Sequence, residues 1–219
     1  MFTRIGVIGH GRLGSAVAAR LSDRGLSASV DDADVVLLCV PDRVIHEAAA
    51  EVSIGRWVAH MSGAVPLAAL APHTTRFGLH PLQTFKQGGG AAQFDGSWAA
   101  VTGESDTARE HARWIAATLG LRPFDIAEER RVLYHAGATI ASNFLVTLYR
   151  AARQLVEAAG APPDALLPLM RRTIDNGFEL TGPIARGDWN TVEAHLAAIQ
   201  EYAPELEDLY RAMARATRQ

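Results

Sequence analysis

Three glycines near the start of the chain are spaced as Gly9-x-Gly11-x-x-Gly14, directly after an apolar segment. In this pattern the first glycine permits a tight turn, the second lets the backbone approach a pyrophosphate, and the third lets a helix pack closely on the preceding strand. The free N–H groups at the start of that helix can then bind phosphate oxygens. We therefore interpret residues 4–14 as a dinucleotide-binding loop; the alternative is a plain strand–turn–helix corner.

Chemically distinctive residues also follow three apolar segments further along the chain. If those segments are parallel strands, their carboxyl ends share the edge of the sheet at which ligands of such sheets bind. One histidine there is more often structural, but several clusters together with a glycine loop favour a ligand site. Metal binding is not expected, because no two histidines have the close spacing of a metal-binding helix or loop. The clusters are Pro41-Asp42, His60-Met61-Ser62-Gly63 and His80-Pro81-Leu82-Gln83-Thr84-Phe85.

A third group of polar residues lies on a predicted long helix, beginning at Tyr134. His135, Thr139, Ser142 and Asn143 are spaced i, i+4, i+7 and i+8, which predicts that they share one face of the helix. The other positions are mostly apolar, so this stripe faces solvent, a neighbouring helix or a ligand. The spacing alone leaves these alternatives open.

The elements that would position these residues can be predicted from the hydrophobic pattern. Up to about residue 126 short apolar segments alternate with amphipathic ones, which indicates an α/β fold with a mostly parallel, Rossmann-type sheet. Ser105 is expected to cap a helix that Gly120 ends. The predicted strands are 4–8, 35–40, 57–60, 76–79, 98–101 and 121–126, and the predicted helices are 13–23, 42–52 and 105–119.

The pattern predicts an abbreviated sheet after the first helix. Residues 26–30 could form the usual second strand, with Asp31 or Asp32 as the acid that binds the adenosine ribose. The next strand starts at Val35, however, and a parallel crossover needs a dozen or more residues. Either the second strand and its crossover helix are absent, or residues 26–30 pair irregularly. In both cases the adenosine half of the site is reduced, and the aspartates could simply form a solvated turn.

From about residue 128 the pattern becomes entirely helical. We predict a helix over 128–159, a second over 164–180, and a third that Asn190 caps, with Glu193 completing the capping box. An interruption is expected near Pro204. The predicted domains are therefore 1–127, a Rossmann-like dinucleotide-binding domain, and 128–219, an all-helical domain.

Composition excludes several other classes of function. A net charge of −3 argues against a general binder of nucleic acid or anionic membranes. The lone cysteine, Cys39, excludes an intramolecular disulfide, and its apolar surroundings predict an inert core thiol. No signal peptide fits the start and no apolar segment could span a bilayer, so the cytoplasm is the expected location. Lys86 is the only lysine, so a lysine acid, base or Schiff base is available at no other position.

Together these features resemble an uncharacterised family of bacterial Rossmann-like proteins that is known as a domain of unknown function. That family is similar to deazaflavin-dependent NADP oxidoreductases, pyrroline-5-carboxylate reductase and ketopantoate reductase. The resemblance covers nearly the whole chain, and two of its motifs are fairly specific. The motifs are the Gly9–Gly14 loop, His60-Met-Ser-Gly63, His80-Pro-Leu-Gln-Thr-Phe85, Tyr134-His-Ala with Ala-Ser142-Asn143, and Gly182-Pro-Ile-Ala-Arg-Gly-Asp188 with Thr191 and His195.

The resemblance implies an NAD(P)-binding domain, a helical domain like that of 6-phosphogluconate dehydrogenase, a cleft between them, and a homodimer formed through the helical domains. NADP(H) is the expected cofactor, with NAD(H) as the alternative. Two departures limit the comparison. Family members usually have the full second strand, and related reductases place a catalytic lysine one turn before an asparagine, where this chain has Thr139 before Asn143.

These observations lead to the hypothesis of an NAD(P)-dependent reductase that acts on a small carbonyl or imine. With no lysine at the site, His135 is the first candidate for the proton donor and His80 the second. The alternatives are a non-catalytic binding or regulatory protein with weakened cofactor affinity, and a reductase that pairs nicotinamide with a deazaflavin. Expected cofactor contacts are Gly9, His10, Gly11, Arg12, Leu13, Gly14, Val40, Pro41, Ser62 and Gly63; expected substrate contacts are Gln83, Thr84, Thr139, Ser142 and Asn143.

Overall fold

The computed structural model describes residues 1–218 and contains a single six-stranded sheet whose spatial order is the order of the chain. The fourth and fifth strands pair antiparallel, and every other neighbouring pair is parallel. The predicted mostly parallel sheet is thus confirmed. The strands are β1 (Ile5–Ile8), β2 (Val35–Leu38), β3 (Trp57–His60), β4 (Arg76–Leu82), β5 (Trp98–Gly103) and β6 (Arg122–Asp125).

Three helices connect the strands: α1 (Arg12–Asp23), α2 (Ile45–Ala50) and α3 (Asp106–Leu119). Because side chains alternate along a strand, each face of the sheet has its own core. The core on one face includes residues of α1 and α3, and the core on the other includes residues of α2. Ser105 caps α3 by accepting a hydrogen bond from the N–H of Ala108, and Gly120 ends it at a φ of 93°, both as predicted.

The segment between α1 and β2 pairs with β1 at one point. The N–H of Ile5 donates to the carbonyl of Leu26 at 2.8 Å, and the N–H of Ala28 donates to the carbonyl of Ile5 at 3.0 Å. The chain then forms a single 3₁₀ turn at Val30–Asp32 and enters β2. Both expectations from the sequence are met in part: residues 26–28 pair irregularly at one bridge, and no second strand or crossover helix lies between α1 and β2.

Helices follow the sheet to the end of the described residues. Residue contacts divide the chain into two compact units, one ending at Ile140 and the other starting at Ala141. The domain division at 127/128 stays a prediction. No helix within residues 1–218 has the length and apolar character needed to cross a bilayer. The helices are α4 (Arg131–Thr139), a π-helical segment (Ile140–Phe144), α5 (Leu145–Ala158), α6 (Leu166–Asp175), α7 (Trp189–Tyr202) and α8 (Glu207–Thr217).

Two predicted boundaries in this helical region are wrong. The helix predicted over 164–180 ends at Asp175, because the chain turns through left-handed backbone at Gly177 and Phe178. The cap of α7 is Asp188 and not Asn190. The Asp188 carboxylate accepts a hydrogen bond from the N–H of Thr191, which places Asn190 inside the first turn.

The single polar face predicted for the long helix is also not maintained. The π-helical segment Ile140–Phe144 interrupts the α-helical period on which that prediction rests. His135 and Thr139 lie in α4, before the interruption, whereas Ser142 and Asn143 lie within it. The interruption near Pro204 is observed as predicted, since α7 ends at Tyr202 and a 3₁₀ turn precedes α8.

Candidate functional site

The three glycines of the first loop have different structural roles. Gly9 has a φ of 108°, and a Cβ on it would overlap the backbone of Cys39. A Cβ on Gly14 would overlap the carbonyl of Gly9, so these two glycines permit close backbone packing. Nothing lies within 4 Å of the position that a Cβ on Gly11 would take. Gly11 is therefore the point at which the loop is open to a ligand.

The start of α1 offers donors for an anion at this open point. Gly11 is the N-cap residue and provides no side-chain hydrogen bond to the first turn. The first N–H groups of a helix have no intrahelical acceptor and carry a partial positive charge. Arg12 adds a guanidinium to the same surface. Open backbone, free N–H donors and an arginine fit the pyrophosphate of a dinucleotide.

A cavity of about 350 Å³ lies next to this loop and extends over the residues that follow β2 and β3. It brings together nine residues that the sequence predicted for the site, and it adds Cys39, Asp42 and Met61. Burial raises the pKa of the Cys39 thiol to about 12, so this side chain is an unreactive wall. The predicted residues that line the cavity are Gly11, Arg12, Leu13, Val40, Pro41, Ser62, Gly63, His80 and His135.

Other predicted site residues do not line this cavity. His10 is exposed, and its carbonyl accepts a hydrogen bond from the Ser15 hydroxyl. Gln83 is held within the β4–β5 loop, where its amide donates to the Ser97 hydroxyl at 2.8 Å and its side-chain oxygen accepts from the N–H of Thr84. The substrate-binding roles of Gln83 and Thr84 stay predictions, as do those of Thr139, Ser142 and Asn143.

Helix α4 places three polar side chains beside one another on the sheet. Arg131, Tyr134 and His135 are spaced i, i+3 and i+4, the spacing of one helix face. The Nδ1 atom of His80 lies 2.8 Å from the Tyr134 hydroxyl, and the rings of His80 and His135 are 5.6 Å apart. Two imidazoles and a phenol therefore meet at the cavity wall.

Gly63 makes this meeting sterically feasible. A Cβ at position 63 would lie 2.5 Å from Cδ2 of His135 and 3.0 Å from Nε2 of His80. Any side chain here would push the two imidazoles out of place. The glycine is therefore required by the cavity wall itself.

The electrostatics of the wall keep His80 neutral. Burial lowers its pKa to about 4, with further lowering from His135 and from Arg131. Burial also raises the pKa of Tyr134 to about 12, so the phenol keeps its proton. When this phenol donates to Nδ1, the single proton of the neutral imidazole is on Nε2, which lies 3.0 Å from the position of a Cβ on Gly63. His80 can thus present a hydrogen-bond donor on the cavity side.

The sequence did not single out Arg131, whereas His60 belongs to one of the clusters that the strand pattern indicated. Arg131 is 1% exposed and lies behind the cavity wall. The ring of His60 is also buried, and both of its nitrogens lack a hydrogen-bond partner among the described residues. The i, i+3, i+4 spacing of Arg131 with Tyr134 and His135 was the available signal for the arginine.

A mostly parallel sheet with an open glycine loop between β1 and α1 defines a Rossmann-type α/β protein. Residues 97–217 match the model of the family described as Domain of unknown function (DUF2520), and the chain belongs to that family. No curated protein matches the chain.

Solved structures with the same fold cover almost the entire chain. A candidate NADP oxidoreductase from Bacteroides fragilis is 22% identical, with a TM-score of 0.81 over 99% of this chain and 98% of that one. Protein TM1727 from Thermotoga maritima is 24% identical, with a TM-score of 0.73 over 98% and 100%. A reductive aminase from Aspergillus terreus, in complex with NADPH and ethyl levulinate, is 15% identical, with a TM-score of 0.71 over 100% and 95%. At these identities the likeness establishes the fold.

Proposed function

We propose that this protein is a cytoplasmic NADP(H)-dependent reductase of a small carbonyl or imine compound. The observation that carries the proposal is that one cavity joins the open glycine loop at the start of α1 to the His80–Tyr134–His135 group. Among proteins of the same fold, one is named for NADP and another was solved with NADPH. These names favour NADP(H), with NAD(H) as the alternative.

Different residues of the cavity would bind different parts of the cofactor. The N–H groups of the first turn of α1, together with Arg12, would bind the pyrophosphate, and Val40 and Pro41 would flank the nicotinamide half. When bound, the cofactor supplies a hydride. Ser62 and Gly63 also line the cavity. Gly9, His10, Leu13 and Gly14 complete the predicted loop.

The histidines would manage the proton that reduction of a carbonyl requires. Negative charge that develops on the substrate oxygen needs a hydrogen-bond donor and then a proton. Neutral His80, oriented by Tyr134, would donate the hydrogen bond from Nε2. His135 remains the first candidate for the proton donor. Orienting the substrate is the proposed role of Gln83, Thr84, Thr139, Ser142 and Asn143.

A homodimer formed through the helical domain completes the proposal. Among residues 141–218 the buried hydrophobic side chains are Val192, Ile199 and Ala203. Large apolar side chains of the same unit are exposed, which is typical of a surface that another subunit covers. They include Leu145, Val146, Leu148, Leu169, Ile174, Phe178 and Leu180.

Titration with NADPH and NADH, followed by thermal unfolding, tests the proposal. A ligand that binds the folded state raises the melting temperature by mass action. We expect a rise with NADPH, followed by its oxidation when a panel of small aldehydes, ketones and imines is added. The second candidate, a non-catalytic binding protein, is favoured by the single-point pairing of residues 26–28 with β1. This second candidate would be supported if NADPH binds but no member of the panel is reduced. If neither nucleotide raises the melting temperature, the reductase proposal is overturned.

Replacing His135 by alanine separates catalysis from binding. We expect turnover to fall much more than affinity for NADPH. The matched control is His46→Ala, since His46 is an exposed histidine on α2. Unchanged turnover in His135→Ala would remove this histidine from the mechanism.

A further inference from the structure

The side chain of Arg131 is almost completely buried, although arginine is costly to bury without partners. Its Nη1 donates to the Thr102 hydroxyl at 2.9 Å, and its Nη2 donates to the carbonyl of Ser62 at 2.5 Å. The nearest carboxylate is that of Glu128, 3.9 Å from Nε. The other oxygen of Glu128 accepts a hydrogen bond from the N–H of Leu67. The guanidinium is thus fixed at several points.

The sheet is shaped to receive this guanidinium. His60, Gly78 and Thr102 lie side by side on β3, β4 and β5. A Cβ on Gly78 would lie 2.7 Å from Nη1 of Arg131, so the absent side chain provides the space for the arginine. This space is built into the central strands, where rebuilding it would disturb the core.

Arg131 reaches the cavity through one peptide group. The carbonyl of Ser62 points to Nη2, and Arg131 is not among the residues that line the cavity. In a trans peptide the N–H points opposite to the carbonyl. Among the described residues the N–H of Gly63 has no acceptor, and Gly63 does line the cavity. The hydroxyl of Ser62 stabilises the same turn by accepting from the N–H groups of Ala64 and Val65.

We propose that Arg131 is a positioning residue that fixes the Ser62–Gly63 peptide so that the N–H of Gly63 donates to a carbonyl oxygen of the bound ligand. Within the proposed function, on which this inference rests, that oxygen belongs to the carboxamide of the nicotinamide ring. A fixed donor costs no reorganisation on binding, which is the advantage of holding the peptide from behind. Arg131 itself does not touch the ligand.

The test compares two ligands in two variants. Arg131→Lys keeps the positive charge but replaces the planar fork that serves Thr102 and Ser62 together. The control is Arg130→Lys, because Arg130 is the exposed neighbour. The ligands are NADPH and phosphorylated ADP-ribose, which is NADP without the nicotinamide ring. We expect Arg131→Lys to bind NADPH about tenfold more weakly, the equivalent of about 1.4 kcal/mol, and to bind the fragment as the wild type does.

Equal weakening of both ligands would show that Arg131 only supports the fold and would overturn the proposal, as would unchanged binding of NADPH. If Arg131→Lys does not fold, Thr102→Val removes one anchor at nearly the same volume. It should weaken the binding of NADPH, but not of the fragment, by about two- to threefold. That loss corresponds to a fraction of the free energy of one hydrogen bond. Loss of the selective effect in that variant would also count against the proposal.

A ligand-free measurement separates this inference from the proposed function. If the wild type binds neither ligand, the cofactor hypothesis fails, but the anchoring of the turn can still be measured by amide hydrogen exchange. The N–H groups of Ala64 and Val65 should exchange faster in Arg131→Lys than in Arg130→Lys. Equal exchange rates in the two variants would show that Arg131 does not fix this turn.

Discussion

His80 and Tyr134 form a hydrogen-bonded pair 2.8 Å apart, although 54 positions separate them in the sequence. The histidine comes from the middle of β4 and the tyrosine from the second turn of α4. Because both side chains are at least half buried, the pair is held in one geometry and orients the imidazole toward Gly63. It is the part of the candidate site that is best suited to act on a substrate oxygen.

Tyr134→Phe tests the pair directly. The change removes only the hydroxyl that defines which nitrogen of His80 carries the proton. We expect reductase turnover to fall by about tenfold, which is less than the roughly 100-fold or more for a group that transfers the proton itself, because Tyr134 acts through His80. Affinity for NADPH should stay within a factor of about two, which corresponds to less than 1 kcal/mol of binding free energy.

Tyr149→Phe is the matched control, because Tyr149 lies on α5 in the other compact unit. It should leave both turnover and affinity unchanged. Equal turnover in Tyr134→Phe and the wild type would rule out a role for the pair.

Gly63→Ala should displace the side chains that form the cavity wall without unfolding the chain. The new methyl group would contact the rings of both His80 and His135, so the imidazoles must move. We expect loss of detectable NADPH binding, measured by the shift in melting temperature. Gly137→Ala is the control: that glycine lies on α4 with nothing within 4 Å of its Cβ position, and alanine there should stabilise the helix by about 0.5–1 kcal/mol. NADPH binding by Gly63→Ala at wild-type strength would contradict the steric argument.

Alanine at Gly14 should lower stability, whereas alanine at Gly11 should lower the affinity for NADPH. Gly14→Ala creates an overlap with the backbone of Gly9 and should lower the melting temperature strongly. Gly11→Ala meets no protein atom, so its stability should be close to that of the wild type, while NADPH affinity falls. Thermal unfolding with and without NADPH measures both quantities. If Gly11→Ala binds NADPH normally, the open point of the loop is not where the pyrophosphate lies.

The protein should lose stability in mild acid because two histidines are buried neutral. Burial lowers the pKa of His60 to about 3, assisted by Arg131, and burial lowers that of His80 to about 4. In the unfolded chain both titrate near 6.5, so the unfolded state binds more protons below that pH. Their contribution to the free energy of unfolding is complete above pH 6.5 and decreases as the pH falls toward 4. At about pH 5 the free energy of unfolding is lower by about 2 kcal/mol for each histidine.

Urea denaturation at pH 7 and at pH 5 measures this loss. His60→Leu should lose about 2 kcal/mol less than the wild type between the two pH values, because leucine cannot bind a proton. His46→Leu should behave as the wild type, since His46 is exposed. An equal pH dependence in His60→Leu and the wild type would show that His60 is not the group responsible.

The proposed dimer can be disrupted at one exposed position. Leu169 lies on α6 and is 63% exposed in the single chain, where a glutamate costs little. If a second subunit covers it, Leu169→Glu should convert a dimer to a monomer in light scattering after gel filtration. Ile54→Glu changes an equally exposed apolar residue of the first unit and should remain dimeric. A monomeric wild type would contradict the dimer.

Much of the sheet could be predicted from the sequence because its signals are local. The alternation of apolar segments, the cap at Ser105 and the glycine at 120 each reflect a few neighbouring residues. The end of α6 and the cap of α7 were misplaced because several residues in each stretch suit a helix end. Asp188 and Asn190 are both good caps, and only the turn ahead of α7 decides between them.

The candidate site was predictable in part from residues near strand ends and from His135 on the predicted long helix. Ser62 and Gly63 follow β3, and His80 lies within β4, which runs to Leu82 and not to the predicted end at 79. Because β3 and β4 are neighbours in the sheet, the topology still brings the three residues together. Arg131 could not be found in this way, because a surface arginine and a buried one have the same local sequence pattern. Its burial depends on Gly78, which is 53 positions away in the sequence. Gly78 leaves room for the arginine because it has no side chain.

The short segment after α1 has a consequence for association between chains. Within residues 1–218, β1 has a neighbouring strand only on its β2 side. A strand edge with unpaired backbone invites another chain to add to the sheet. Residues 26–28 occupy part of this edge, because the N–H and the carbonyl of Ile5 are both bonded to them. Although the connection is too short for a crossover helix, its single bridge leaves less of the β1 edge open to aggregation with another chain.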